Sequence, residues 1–218
     1  MKKAVIFDLD GTLANTIESI TLCGNRALAK CGFPAYGEAD YKYFVGDGAA
    51  ELVRRALIRS GDDALVHFDE AFGEYIRLFR KDCMYHVRPY EGIVSLLDTL
   101  KGRGIRIAVL SNKPHANSIS VVETLFGKGY FDWIQGQKEE IPRKPDPAGA
   151  YEIVKGFGLS ARDFLYVGDT GVDMRTGKAA GMWTIGVLWG FRDRKELEEN
   201  QADAIVERAE EILDFIED

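Results

Sequence analysis

The sequence predicts an α/β fold, a parallel sheet with helices on both faces, carrying an all-helical domain inserted after its first strand. Three observations predict it. Short continuous apolar runs, of the kind found in strands buried on both faces, end abruptly at polar groups, as Ala4-Val5-Ile6-Phe7 does at Asp8. From about residue 87 onwards such runs alternate with stretches of helical periodicity, the pattern of a sheet wrapped by its own crossovers. Between the first run and the next strand lie about a hundred residues, where a parallel crossover needs roughly 30.

Ala4–Phe7 supplies the first strand, and Asp8, Asp10, Gly11 and Thr12 follow it. Open α/β sheets keep their ligand sites at strand ends, and a glycine free to take φ > 0 turns the second carboxylate towards the first. Like charges that close call for a cation or a shared proton. The structural alternative is a helix start, with Asp10 as cap and Thr12 in the first turn. Ile17, Ile20, Gly24, Ala27 and Leu28 then recur at helical spacing as far as Gly32-Phe33-Pro34. A second helical stretch follows Gly46-Asp47-Gly48 with Leu52, Val53, Ala56 and Leu57, and a third carries Leu65, Phe68, Phe72, Ile76 and Phe79 as a core-facing stripe.

The texture changes at the turn-rich joint Val87-Arg88-Pro89-Tyr90-Glu91-Gly92. A helix from about Ile93 to Arg103 leads to a strand over residues 105–110, then a helix over 119–125 and a short strand at Trp133-Ile134. A helix over 150–155, a strand over 164–167, a short helix near 174–180, a strand over 184–188, a strand over 204–206 and a helix over 212–216 complete the chain. The expected division is therefore a sheet core of residues 1–14 and 87–218 and a helical domain of residues 15–86.

At 218 residues and 46% hydrophobic, the chain can bury one ample core with a satellite. Cys23, Cys31 and Cys83 are odd in number and lack a CxxC pair, which indicates neither a disulfide framework nor a zinc site and points to reduced thiols in a cytoplasmic protein. The first apolar run is too short for a signal-peptide core and none approaches a membrane span, so no membrane partner is expected. A net charge of −7 without a basic patch disfavours nucleic acid. The sequence leaves open a monomer or a small homo-oligomer.

Polar groups follow the other strands as well. Ser111-Asn112-Lys113 follow Val109-Leu110, Lys144 lies in Arg143-Lys144-Pro145, and Gly168-Asp169-Thr170-Gly171-Val172-Asp173 follow the strand over 164–167. Carboxylates without histidine or cysteine are hard oxygen ligands that suit Mg²⁺. Lysine and a serine hydroxyl beside such a cation suit a phosphoryl group, a carboxylate facing phosphorus can act as nucleophile, and a second carboxylate can carry the proton. Taken singly, Ser111 and Asn112 read equally well as a helix cap, Lys113 as a solvated charge and Asp173 as a first-turn acid. His67, His86 and His115 have no part in this chemistry and read as surface or packing residues.

In this order and spacing, Asp8-Leu9-Asp10-Gly11-Thr12, Ser111-Asn112-Lys113, Lys144-Pro145 and Gly168-Asp169-Thr170-Gly171-Val172-Asp173 resemble the four motifs of the haloacid dehalogenase-like hydrolase superfamily. The resemblance implies a Rossmann-like core and makes the helical insertion its cap domain. It implies Asp8 as nucleophile and Mg²⁺ ligand, and Asp10 as general acid/base lending its backbone carbonyl to the metal. Ser111 and Asn112 would bind the phosphoryl group, Lys144 would neutralise the nucleophile and phosphate, and Asp169 and Asp173 would complete the metal site. Asp10 favours phosphatase or phosphomutase over dehalogenase chemistry, because halide departure needs no proton, and the cap loop favours the phosphatase of the two. The run Phe44 to Leu52 resembles the cap loop of phosphoglycolate phosphatases, and Ser111-Asn112-Lys113-Pro114 and the run Gly186 to Phe191 fit the same group, which makes Gly46, Asp47, Gly48 and Lys113 candidates for reading a small phosphorylated metabolite. Two glycines before a helix offer N–H donors to such an anion, and Asp47 as a plain helix cap is the alternative. Asn15, where many relatives have an acid, and Glu91, where proline is frequent, depart from that pattern.

Overall fold

A computed structural model describes residues 1–217. The chain divides into two compact units, Met1–Asn15 with Pro89–Asp218, and Thr16–Arg88.

In chain order the elements are β1 (Ala4–Phe7), β2 (Ala14–Asn15), α1 (Ile17–Lys30), α2 (Glu38–Phe44), α3 (Ala49–Arg59), α4 (Phe68–Asp82), β3 (Arg88–Pro89), α5 (Ile93–Gly102), β4 (Arg106–Pro114), α6 (His115–Phe126), β5 (Trp133–Gln137), α7 (Ala148–Phe157), β6 (Phe164–Gly168), α8 (Gly171–Ala179), β7 (Trp183–Val187), α9 (Arg194–Glu199) and β8 (Ala204–Val206). The larger unit holds a six-stranded sheet in the order β5-β4-β1-β6-β7-β8, and its neighbouring strands run parallel.

All residues of β1 and β6 are buried, which is why these strands read as unbroken apolar runs. One buried cluster on the sheet unites Ala4, Ile6, Leu110, Ile153, Phe157, Phe164, Tyr166 and Met182. The register aligns Phe7 with Val109 of β4 and Val167 of β6. One residue further along each strand stand Asp8, Leu110 and Gly168, so the polar groups after these strands share one edge of the sheet.

The expected strand over 105–110 extends to Pro114. The polar Ser-Asn-Lys ends the apolar run, but pairing of Pro114 with Gln137, across a register shift after Leu110, carries the strand on. The expected C-terminal helix over 212–216 is a 3₁₀ turn over Ala209–Phe215; its buried Ala209 and Ile212 lie three residues apart, the spacing that a three-residue turn stacks on one side. Two helices are additional to the expected set, α2 and α9, both too short for a clear periodic signal.

The Thr16–Arg88 unit consists of α1 to α4. Ile17, Ile20, Gly24, Ala27 and Leu28 of α1 are buried as the spacing predicts, and so are Leu52, Val53, Ala56 and Leu57 of α3. In α4 the stripe is rotated: Ala71, Tyr75, Leu78 and Phe79 are buried, whereas Phe68, Phe72 and Ile76 are half-buried. The stacked pairs Phe68–Phe72 and Tyr75–Phe79 place one ring pair at the rim and the other in the interior. Asn25 fastens the α1–α2 connection by accepting from the Tyr36 N–H and donating to its carbonyl. No helix among the described residues is long and apolar enough to cross a membrane.

Candidate active site

Asp8 stands at the tip of β1, its backbone N–H donating to Val167. Its carboxylate accepts from the Lys144 ammonium at 2.8 Å, and the same ammonium reaches Asp173 at 2.7 Å. Lys144 comes from the loop after β5, and the side chain of Asn112 fixes that loop. Asn112 donates to the Lys144 carbonyl at 3.1 Å and accepts from its N–H at 2.9 Å. Asn112, expected to bind phosphate, is thus seen to hold the loop that carries Lys144. The peptide bond from Lys144 to Pro145 is cis.

Asp169 follows β6 and is completely buried. One carboxylate oxygen accepts from the Thr12 hydroxyl at 2.9 Å and the other from the Phe191 N–H at 2.8 Å. Two glycines wall this seat. A Cβ on Gly11, whose φ is +89°, would lie 2.2 Å from an Asp169 carboxylate oxygen, and one on Gly190 would lie 2.5 Å from the same atom. Neither Thr12 nor Gly190 figures among the expected site residues, although Thr12 belongs to the opening motif.

Asp173 is the third residue of α8 and closes a capping box with Thr170, whose hydroxyl donates to it at 2.6 Å. It is therefore the first-turn acid of the alternative reading, and its carboxylate also meets Lys144. Ser111 is buried at the β4 end and accepts from the Lys113 N–H at 3.2 Å. It lies within the strand and caps no helix. Lys113, far from being a solvated charge, is 3% exposed at its side chain and holds Asp10 through both carboxylate oxygens.

The cap-loop candidates lie in the helical unit. Gly46 and Gly48 have φ of +120° and +90°, a region open to glycine. Asp47 does not cap α3, which has Gly48 at its N-cap; the Asp47 carboxylate pairs with Arg55 at 2.5 Å. The histidines have structural partners: His67 and His86 pair with Asp62 and Glu18, and His115 accepts from the Gly136 N–H.

The carboxylates of Asp8, Asp169 and Asp173 converge, with one oxygen from each within 4.8 Å of the others. Burial pushes Asp8 well above the ordinary carboxylate value; Lys144 opposes this, and Asp173 and Asp169 add to it. Burial and the neighbouring Asp173 likewise raise Asp169 to about 7. For Lys144, burial pulls downwards, but Asp173 and Asp8 outweigh it and keep the ammonium charged. With Asp10 and its partner Lys113 included, four carboxylates face two ammonium groups. Two negative charges remain unbalanced when all are ionised, and a divalent cation meets that deficit with hard oxygen donors. The donor set thus fits a divalent metal held by Asp8, Asp169 and Asp173.

The comparisons with known proteins agree with this geometry. Residues 5–187 match the haloacid dehalogenase-like hydrolase family. The chain belongs to that family. It is 36% identical over 199 residues to a phosphoglycolate phosphatase of Rhodospirillum rubrum, covering 88% of this chain and 81% of that one. To the phosphoglycolate phosphatase of Pseudomonas syringae pv. tomato it is 32% identical over 208 residues, covering 93% and 75%. A crystal structure from Lactobacillus delbrueckii subsp. bulgaricus, whose own assignment as a phosphoglycolate phosphatase is provisional, superposes with a TM-score of 0.93 at 32% identity, covering 99% of both chains. The chain is a haloacid dehalogenase-like phosphoric monoester hydrolase of the phosphoglycolate phosphatase-like branch.

Proposed function

We propose that the protein hydrolyses 2-phosphoglycolate, a small phosphomonoester, with Mg²⁺ and through phosphorylated Asp8. The observation that carries the chemistry is the pair of carboxylates on either side of one turn with different partners: Asp8 with Lys144 beside the acidic triad, Asp10 with Lys113. A carboxylate next to the metal seat suits attack on phosphorus, and one outside it suits proton transfer.

In the first step an Asp8 oxygen forms a bond to phosphorus, the bond from phosphorus to the ester oxygen breaks, and Asp10 gives that oxygen its proton. In the second, Asp10 takes a proton from water, which attacks the phosphorus, and the bond to Asp8 breaks to release phosphate. Lys144 offsets negative charge at Asp8 and the phosphoryl oxygens, and Ser111 donates a hydrogen bond to the phosphoryl group. Bound at Asp8, Asp169 and Asp173 and the Asp10 carbonyl, Mg²⁺ supplies charge neutralisation to the transferring group. We assign substrate reading to Gly46, Asp47 and Gly48 in the helical domain and to Lys113 in the sheet domain, and a cytoplasmic setting to a chain whose three cysteines form no disulfide.

The substrate assignment rests on the relatives named above and is tested by a panel of phosphomonoesters. 2-Phosphoglycolate should give the highest kcat/KM, ahead of nucleotides, sugar phosphates and pyrophosphate, and EDTA should abolish turnover. A flat profile would remove the substrate, and full activity in EDTA or in Asp8→Asn would remove the mechanism.

A further inference from the structure

Tyr166 is a fully buried tyrosine in an otherwise apolar cluster with Phe157, Phe164 and Met182. A phenylalanine would fill the same slot. The hydroxyl has no hydrogen-bond partner of ordinary geometry, and an unmade hydrogen bond at a buried group is costly.

Its position shows what the hydroxyl faces. Tyr166 lies opposite Ile6 in the sheet register. Asp8 is two residues beyond Ile6 and so projects from the same face. Gly168, two residues beyond Tyr166, offers no side chain between them, and a Cβ there would collide with Asp173 at 2.2 Å. Gly177 of α8 closes over the tyrosine, since a Cβ on it would lie 2.9 Å from that of Tyr166. The ring is thus enclosed on the side from which Asp173 approaches, and the charges that act on the phenol are the Lys144 ammonium first, then the Asp173 and Asp8 carboxylates, of which only the ammonium carries N–H donors. That ammonium has three N–H donors. Two are spent on Asp8 and Asp173.

We propose that Tyr166 is a positioning residue for Lys144, its phenol oxygen accepting the third N–H and holding the ammonium in line with Asp8. The need arises in the reaction proposed above, on which this inference rests. When Asp8 becomes esterified to phosphorus it ceases to be a full carboxylate partner, and Lys144 then keeps its place through Asp173 and Tyr166.

Tyr166→Phe tests this, because it preserves the ring packing and removes the accepting oxygen together with an O–H whose own proton has no partner. Melting temperature should stay level or rise. The kcat should fall roughly 10- to 100-fold, the rate equivalent of one hydrogen bond to a charged group, while KM changes less than twofold. A purely structural tyrosine would instead move the melting temperature and leave kcat alone, and a wild-type kcat overturns the proposal. A second readout is independent of turnover. In the ¹⁵N-lysine spectrum of the metal-free protein, the Lys144 ammonium resonance, assigned by its loss in Lys144→Arg, should shift and exchange faster in Tyr166→Phe. An unchanged resonance overturns the proposal even if the wild-type protein hydrolyses none of the phosphomonoesters, in which case the phosphatase reading fails separately.

Discussion

The Lys113 ammonium lies 2.8 Å from each carboxylate oxygen of Asp10. With the side chains only 3% and 14% exposed, this is a buried ion pair at the reacting end of the sheet. Its two ends predict different losses. Asp10→Asn removes the carboxylate proposed to carry the proton, and kcat should drop by about 10²- to 10⁴-fold. Lys113→Met leaves the carboxylate without its ammonium, and loss of one partner of a buried pair costs about 3 kcal/mol or more. Urea unfolding should therefore show a lower midpoint for Lys113→Met, accompanied by reduced kcat/KM. Wild-type stability together with wild-type kinetics in that variant would rule out a role for the pair.

Asp169 predicts a pH dependence for the metal-free protein. Its carboxyl ionises at about 7 in the fold, against 3.8 for a free aspartate. A group raised on folding contributes stability that is fully present below its unfolded value and is lost as pH rises through the folded value. Between pH 5 and 8 the EDTA-treated protein should therefore lose melting temperature, with Asp8 acting in the same direction. His115, lowered by burial and by Lys138, works the other way. Asp169→Asn is the control, because it should flatten the slope while leaving the histidine contribution intact. Mg²⁺ at these carboxylates would compete with the proton, so the stabilisation it gives should grow with pH across the same window. Calorimetry with and without the metal checks both slopes, and a metal-free melting temperature that climbs towards pH 8 would contradict the assignment.

The seat of Asp169 can be tested without altering a carboxylate. In Gly190→Ala the new Cβ would fall 2.3 Å from the Asp169 Cβ and 2.5 Å from the Gly11 carbonyl oxygen. Backbone on one side and a doubly hydrogen-bonded carboxylate on the other leave little to give way. Titration calorimetry should show Mg²⁺ binding weakened at least tenfold, the scale seen when groups supporting a metal ligand are disturbed. Unchanged affinity would mean that Asp169 is not a ligand, or that its seat can move.

How much of this was legible in the sequence depends on the distance over which each feature is encoded. Asp8, Asp169 and Asp173 are announced locally, by apolar strands that stop at polar residues, and the sheet register then brings them together; Lys144, in the loop beyond β5, is legible only through the family resemblance. The partners were not legible. Nothing near Asn112 indicates that its amide will hold Lys144, a residue 32 positions away, and nothing near Lys113 indicates Asp10, 103 positions away. Asp47 resembled a helix cap because caps are judged from neighbours, whereas its partner Arg55 is a turn and more into α3. The α4 stripe was rotated for a related reason: aromatic residues dominate any apolar pattern, and the packing buried Ala71 and Leu78 while leaving Phe68 and Phe72 half-covered.

Gly24 of α1 sets two magnitudes against each other. Replacing a mid-helix glycine by alanine favours the helix by about 1 kcal/mol. At this position, however, the added Cβ would lie 2.3 Å from both the hydroxyl oxygen and a ring carbon of Tyr41. Tyr41 is completely buried, and its hydroxyl donates to Asn25, which also ties Tyr36 to α1. The ring cannot swing into solvent without giving up that bond and the interior it fills. Overpacking of a filled core costs about 1–3 kcal/mol, so the clash should outweigh the gain in helix propensity. Gly24→Ala is therefore expected to lower the melting temperature by a few degrees, with Mg²⁺ affinity in the sheet unit unaffected. A higher melting temperature would show that Tyr41 repacks freely and that the glycine is present for some reason other than its close approach.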